Sequence, residues 1–216
     1  GQEQRARALD VFERMYSPAI GTGVTMDYLG RTGLDALKGA DILKTAADSY
    51  SSTVEYAATT IAQSLRGMAQ VILKGLGTRV LYTPQGGYDT HANQVPVQTP
   101  LLSDLSAGIG DFFTDLREHD AADNVMMLVF TEFGRRVHDN GSGTDHGAGG
   151  VAFVIGDAVK GGLYGEYPSL EANKLNEGDL AFNNDFRGLY ATLLEKWMGL
   201  DSKPIINGSF EQMAYL

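Results

Sequence analysis

The sequence contains no cysteine, which excludes disulfides, thiolate metal ligands and a cysteine nucleophile from this chain. It has no apolar run near the roughly 20 residues of a membrane helix, so we expect no membrane span. Basic residues are outnumbered: 17 Lys and Arg stand against 27 Asp and Glu, for a formal net charge of −10. Because an acidic protein repels phosphate backbones, we do not expect nucleic acid as a partner.

Glycine is abundant, with 27 among 216 residues, and it accompanies three stretches that also carry acids and histidines. These stretches are residues 86–91, 130–136 and 141–150. Together they supply the following groups: Asp89, His91, Glu132, Asp145 and His146. Carboxylates and imidazoles in such a set are the ligands of hydrolytic metal sites. The sequence therefore predicts a metal site, provided that the three stretches meet.

Hydrophobic periodicity predicts five helices. They cover residues 2–16, 34–49, 54–73 after a Ser52–Glu55 capping box, 101–116 after Pro100, and a final helix to Trp197 capped from 183–185. Strands are predicted at 79–83, 125–130 and 151–155. The run 125–130 is apolar at every position, as in a parallel sheet covered on both faces.

Strand, helix and strand over residues 79–130 would form a βαβ unit, whose parallel strands end at one edge of the sheet. We therefore expect the loops holding Asp89, His91 and Glu132 to open on the same rim. Asp145 and His146 precede their strand, so their loop must fold back over that rim. Taken alone, each motif also has an explanation other than metal binding. Glu132, for example, could pair with Arg135 or Arg136 in a salt bridge.

Five motifs in order carry a family resemblance. They are 87–94 (GYDTHANQ), 131–136 (TEFGRR), 140–147 (NGSGTDHG), 160–165 (KGGLYG) and 185–187 (DFR). From about residue 50 to about residue 200 the chain resembles an uncharacterised bacterial family, number 1501 among domains of unknown function, which is grouped with the alkaline phosphatase and sulfatase superfamily. The resemblance implies an α/β fold: an alkaline-phosphatase-like three-layer sandwich with a mostly parallel sheet, incomplete at the N-terminus. Residues 1–50 would be a helical N-terminal segment and residues 51–216 the C-terminal portion of that domain.

The same resemblance implies a two-metal site. Asp89 and His91 match the first pair of superfamily ligands, and His146 looks like the last histidine ligand before its strand. Glu132 stands where an Asp-His pair is usual, with Phe133 in place of the histidine. The superfamily's first metal-binding Asp and its Ser or Thr nucleophile have no counterpart in residues 1–50.

We therefore predict a metal-dependent hydrolase of phosphate or sulfate esters, or a truncated form of one. Its metal ligands would be Asp89, His91, Glu132 and His146, with Arg135 as anion clamp and Asp145 as the group orienting His146. The cofactor would be a divalent metal, zinc first, with manganese, calcium or magnesium as alternatives. The partners would be a small anionic ester and a missing N-terminal segment, and many relatives resemble proteins exported to the periplasm by a twin-arginine signal. The alternative is a non-catalytic metal-, carbohydrate- or protein-binding module.

Overall fold

The computed structural model describes residues 2–48 and 50–216. In chain order its helices and strands are α1 Gln2–Tyr16, α2 Val24–Asp48, α3 Thr60–Leu73, α4 Gln94–Glu118, β1 Met127–Val129, β2 Gly134–Asp139, β3 Thr144–Gly147, β4 Phe153–Ile155, α5 Phe186–Thr192 and α6 Lys203–Ile206. The chain divides into two compact units, residues 1–53 with 66–82 and residues 54–65 with 83–216. None of the described helices is long and apolar enough to span a membrane, as the sequence predicts.

The first unit contains a pair of helices, α1 and α2, in contact with each other. Glycine permits this approach, because a Cβ at Gly33 would lie 3.0 Å from the ring of Tyr16. The prediction of a helix at 2–16 is confirmed. The second helix begins at Val24, ten residues before the predicted start, and position 49 of the prediction lies outside the described residues.

The second unit has its core around the first half of α3 and the last turns of α4. Ala62 and Leu65 pack against Gly108, where an added Cβ would lie 3.3 Å from the Leu65 side chain. The buried apolar residues of this unit are Ile61, Ala62, Leu65, Phe112, Phe113, Leu116, Ala122, Ala191 and Tyr215. Helix α3 starts at Thr60, so the predicted Ser52–Glu55 cap is wrong. Helix α4 starts at Gln94 and includes Pro100, which the sequence placed before the helix.

The predicted three-layer sandwich with a mostly parallel sheet is wrong for the described residues. Their sheets are two antiparallel pairs, β1 with β4 and β2 with β3. The βαβ unit required a strand at 79–83, but that segment has no strand, and Val80 and Tyr82 are 70% and 72% exposed. Without this first strand, β1 pairs with β4 in the register Met127↔Ile155. The residues of β1 are half-buried, not enclosed on both faces.

The C-terminal part of the second unit is built on α5. Asp185 caps this helix as predicted, since its side chain accepts a hydrogen bond of 2.9 Å from the backbone N–H of Arg187. The hydrogen bonds from the Arg187 side chain, followed by this backbone bond, lower the pKa of Asp185 to about 2. The chain end packs back on the helix, where the hydroxyl of Tyr215 donates to the carbonyl of Leu189 at 2.9 Å. The buried position of Tyr215 raises its pKa to about 12.

Candidate metal-binding site

A hairpin of β2 and β3 carries three of the six site residues that the sequence singled out, Arg135, Asp145 and His146. Arg135 lies opposite His146, and Gly134 lies opposite Gly147. Glycine is required here, because a Cβ at Gly134 would overlap the carbonyl oxygen of Gly149. The sequence analysis assigned this whole region to loops. The signal that could have revealed the hairpin is Asn140-Gly141 at its turn, a dipeptide typical of hairpin turns.

Three side chains from two segments converge beside the hairpin. Asp89 and His91 come from the loop before α4, and His146 comes from β3. The Asp89 Oδ1 atom lies 2.7 Å from Nε2 of His146 and 3.2 Å from Nε2 of His91. One ligand atom from each of the three lies within 4.8 Å of the other two. These three residues therefore form a candidate metal-binding cluster, which we call the Asp89–His91–His146 cluster.

Asp145 joins this cluster through His91. Its Oδ1 lies 2.9 Å from Nδ1 of His91. The sequence analysis had paired Asp145 with His146 instead. The two neighbouring residues of β3 both reach the 86–91 loop but contact different residues there, Asp145 the ring of His91 and His146 the carboxylate of Asp89. The arrangement is a carboxylate–histidine pair with the second ring nitrogen turned to the cluster.

The ring of His146 is held by an aromatic neighbour. Phe133 stacks on it with ring centroids 3.9 Å apart and planes 6° apart. The guanidinium of Arg135 lies 5.1 Å from the centroid of the same Phe133 ring. Phe133, which stands where the resemblance implied a histidine ligand, thus positions a side chain of the Asp89–His91–His146 cluster.

Arg135 binds backbone in this structure. Its NH1 donates to the carbonyls of Thr90 and Thr144 at 2.5 and 2.9 Å, and its NH2 donates to the carbonyl of Tyr88 at 2.6 Å. NH2 also lies 3.4 Å from the Thr90 hydroxyl. The guanidinium therefore ties the loop carrying Asp89 to β3. This use differs from the expected anion clamp, because the terminal N–H groups face protein acceptors.

Two glutamines at the start of α4 fasten the same loop, and the sequence analysis did not single them out. Gln94 donates to the carbonyl of Thr90 at 3.1 Å and to the Thr144 hydroxyl at 2.9 Å. Gln98 donates to the carbonyl of Tyr88 at 3.2 Å and to the Thr90 hydroxyl at 2.8 Å. A polar face at the first turns of a helix, directly after a motif, is the signal that could have identified them.

The electrostatics favour ionised carboxylates at the cluster. The hydrogen bond with His146 lowers the pKa of Asp89, and the positive charge that the two histidines carry when protonated acts in the same direction. The hydrogen bond with His91, followed by that from Asn140, lowers the pKa of Asp145. Both carboxylates are therefore favoured in the ionised form at neutral pH, which is the form that can bind a cation.

Glu132 and a second group of residues lie outside this arrangement. Glu132 is exposed in the turn between β1 and β2 and is not among the residues that converge with Asp89. Asp115, Glu118 and His119 also bring ligand atoms within 4.8 Å at the end of α4. Asp115 is buried and accepts a 2.8 Å hydrogen bond from the Tyr56 hydroxyl, and its backbone carbonyl contacts Nδ1 of His119 at 2.8 Å. These contacts suit a structural hydrogen-bond network at the C-terminal end of α4.

The fold and the cluster define a protein of mixed helix and antiparallel sheet that carries an exposed histidine–carboxylate site. The chain belongs to the family described as Protein of unknown function (DUF1501), whose model matches residues 26–210. This confirms the family indicated by the five motifs, while its grouping with alkaline phosphatases and sulfatases stays a prediction. No curated protein and no solved structure matches the chain.

Proposed function

We propose that this protein binds a divalent cation and uses it to hydrolyse phosphate or sulfate esters. The observation that carries the proposal is the convergence of Asp89 Oδ1 with Nε2 of His91 and of His146, at 3.2 and 2.7 Å. Two imidazoles and one carboxylate are the protein ligands of many hydrolytic zinc sites, which leave a fourth position for water or substrate.

The donor set fits a small divalent ion. Ligands at about 2.0–2.1 Å around a tetrahedral zinc lie roughly 3.3 Å from one another. The Asp89–His91 distance matches this spacing, and the Asp89–His146 contact needs to open by about half an ångström. Zinc suits two imidazoles and a carboxylate, and manganese is the next choice by ligand type.

Each residue has a role in this proposal. Asp89, His91 and His146 would hold the ion, while Asp145 fixes the ring of His91 from its other nitrogen. When bound, the ion supplies Lewis-acid stabilisation of the ester oxygen and lowers the pKa of a bound water. The side chains of the three ligands are 68%, 52% and 41% exposed, which leaves room for a substrate to approach.

The substrate class is inferred from chemistry and from the resemblance. A divalent ion at an accessible site attracts anionic oxygen, and the resemblance of the motifs to a family grouped with alkaline phosphatases and sulfatases supports phosphate or sulfate esters. The proposed activity does not depend on the parallel-sheet fold of those enzymes.

The proposal is tested by metal content and turnover measured together. We expect the protein to bind about one zinc ion, and His146→Ala to weaken this binding by more than about tenfold. His138→Ala is the matched control, because His138 is exposed on β2 and outside the cluster. Turnover of an aryl phosphate or an aryl sulfate should require the metal and be lost in His146→Ala. Absence of metal binding by the unmodified protein would refute the proposal.

A second candidate function is a non-catalytic cation-binding module. The observation that favours it is the commitment of Arg135 to backbone carbonyls, which removes the expected anion clamp. Metal binding that depends on His146, without turnover of either ester, would support this alternative over the hydrolase.

A further inference from the structure

Helix α2 carries a stripe of residues that recur at heptad spacing along one side. Its members are Tyr28, Leu29, Thr32, Asp35, Ala36, Gly39, Ile42 and Leu43, all of them exposed except Gly39, which is half-buried. We call these residues the α2 stripe. We propose that the α2 stripe is a self-association surface, on which α2 of a second copy of this chain docks in the antiparallel direction. The inference stands on the first unit alone and does not depend on the proposed metal site.

The pair of helices α1 and α2 has no apolar core between them. Among the residues of α1 and α2 whose burial the structure describes, the only buried one is Gly30, which has no side chain. Phe12 and Tyr16 lie against Gly33 of α2 and are half-buried. Most of the stability of a helix in a protein comes from packing its apolar face, so this pair of helices requires a further apolar surface.

The apolar members of the α2 stripe are exposed to solvent. Tyr28 is 70% exposed, and Leu29, Ile42 and Leu43 are each about half exposed. The pairs 28–29 and 42–43 are two heptads apart, so they lie on the same side of the helix. The side of α2 that faces α1 is a different one, because it carries the glycines 30 and 33. The stripe is therefore the side of α2 that remains for another helix.

The order of residues along the stripe fits an identical helix running in the opposite direction. A two-fold axis on the N-terminal side of Ala36 brings Tyr28 opposite the partner's Leu43, and Leu29 opposite the partner's Ile42. Both apolar ends of the stripe are then covered at once. Such a contact uses the same surface on both copies and closes as a dimer.

Small residues occupy the middle of the stripe, where the two helices would cross. Thr32, Ala36 and Gly39 separate the two apolar ends, and their size lets helix axes approach closely. Asp35 is the one charged member of the stripe. It follows Arg31 by one helical turn, a spacing at which the guanidinium can neutralise the carboxylate.

The distribution of charge favours a second copy as the occupant. Helices α1 and α2 together contain six basic and seven acidic residues, whereas the whole chain has a net charge of −10. Two copies of this acidic chain therefore repel each other least at this pair of helices. A strongly basic or strongly acidic partner would find no complementary field on so balanced a surface.

Cross-linking tests the contact and its direction, and it is clean because the chain has no cysteine. Mild oxidation of the full chain should convert Ala36→Cys largely into a disulfide-linked dimer, since position 36 lies beside the axis. Leu29→Cys alone should stay unlinked, whereas a mixture of Leu29→Cys and Ile42→Cys should give the mixed dimer. Lys44→Cys is the matched control, because Lys44 is exposed on α2 but outside the stripe.

Sedimentation equilibrium of the unmodified protein should show a dimer whose share grows with concentration. Leu29→Glu and Leu43→Glu should each raise the dissociation constant of this dimer more than about tenfold, because a carboxylate would be buried against apolar side chains. Lys44→Glu should change it less than about threefold. Circular dichroism confirms that each variant keeps its helices.

Four results would overturn the proposal. The first is a monomer at every concentration up to the solubility limit. The second is a dimer that Leu29→Glu leaves unchanged, because the contact then lies elsewhere. The third is disulfide linkage of Leu29→Cys to itself, which indicates parallel helices. The fourth is a monomer whose melting temperature falls in Leu29→Glu, which indicates that the same chain covers the stripe.

Discussion

Replacing Arg135 should destabilise the second unit by more than the loss of a single surface contact does. Arg135 makes three short hydrogen bonds, to the carbonyls of Tyr88, Thr90 and Thr144. Hydrogen bonds to a charged group contribute about 1.5–3 kcal/mol each when buried, so three would be worth roughly 5 kcal/mol or more. The side chain is only half-buried, and water can replace part of this. We therefore expect Arg135→Met to lower the free energy of unfolding by about 2–4 kcal/mol.

Urea unfolding followed by the fluorescence of Trp197, the single tryptophan, measures this loss within the second unit. Arg135→Lys should recover only a small part, because an ammonium cannot span three carbonyls as a planar fork does. Arg31→Met, an exposed position on α2, is the control. A loss below about 0.5 kcal/mol in Arg135→Met, the level of an ordinary surface change, would refute the assigned role.

Three further predictions concern packing and pH. Gly143→Ala should weaken zinc binding and lower the free energy of unfolding by about 1–3 kcal/mol, since its Cβ would lie 2.7 Å from the His91 carbonyl oxygen. Equal melting temperatures of the variant and the unmodified protein would contradict this prediction. Tyr215→Phe should cost about 1 kcal/mol through the lost hydrogen bond to Leu189. Burial raises the pKa of folded Tyr215 to about 12, so its stabilising contribution is present below the unfolded value near 10 and is lost as pH rises toward 12. In urea titrations the unfolding free energy of the unmodified protein should therefore fall over this pH range, and Tyr215→Phe should lack this fall. Asp185→Ala should lower the melting temperature at pH 7 and have little effect near pH 2, because the depressed pKa gives a contribution present above about pH 4 and lost as pH falls through about 2.

The sequence predicted the helices better than the sheets, for a physical reason. Helix α1 and the cap at Asp185 depend on neighbours within a few residues, and periodicity and capping record those neighbours directly. The pairing of β1 with β4 depends on residues more than twenty positions apart. The apolar run at 125–130 indicated a strand but carried no information on the direction of its partner.

The candidate site was predicted in composition but not in arrangement. Asp89, His91, Asp145 and His146 are brought together, although the parallel-sheet rim that was expected to gather them is absent from the described residues. Instead, the glycine-rich β2–β3 hairpin with its Asn-Gly turn brings these residues together. The partners of Arg135 are carbonyl oxygens, which every residue has, so no pattern of side chains could have shown them.

The stacking of His146 on Phe133 has a consequence for the choice of ion. An imidazole held against a ring at 3.9 Å cannot swing outward without giving up that contact, and His91 is fastened from its other nitrogen. Calcium needs six to eight oxygen ligands at about 2.3–2.6 Å, which calls for donors that can spread apart. If the cluster binds a divalent ion as proposed, a pair of imidazoles fixed in this way would favour a small ion, so calcium in excess should fail to displace zinc.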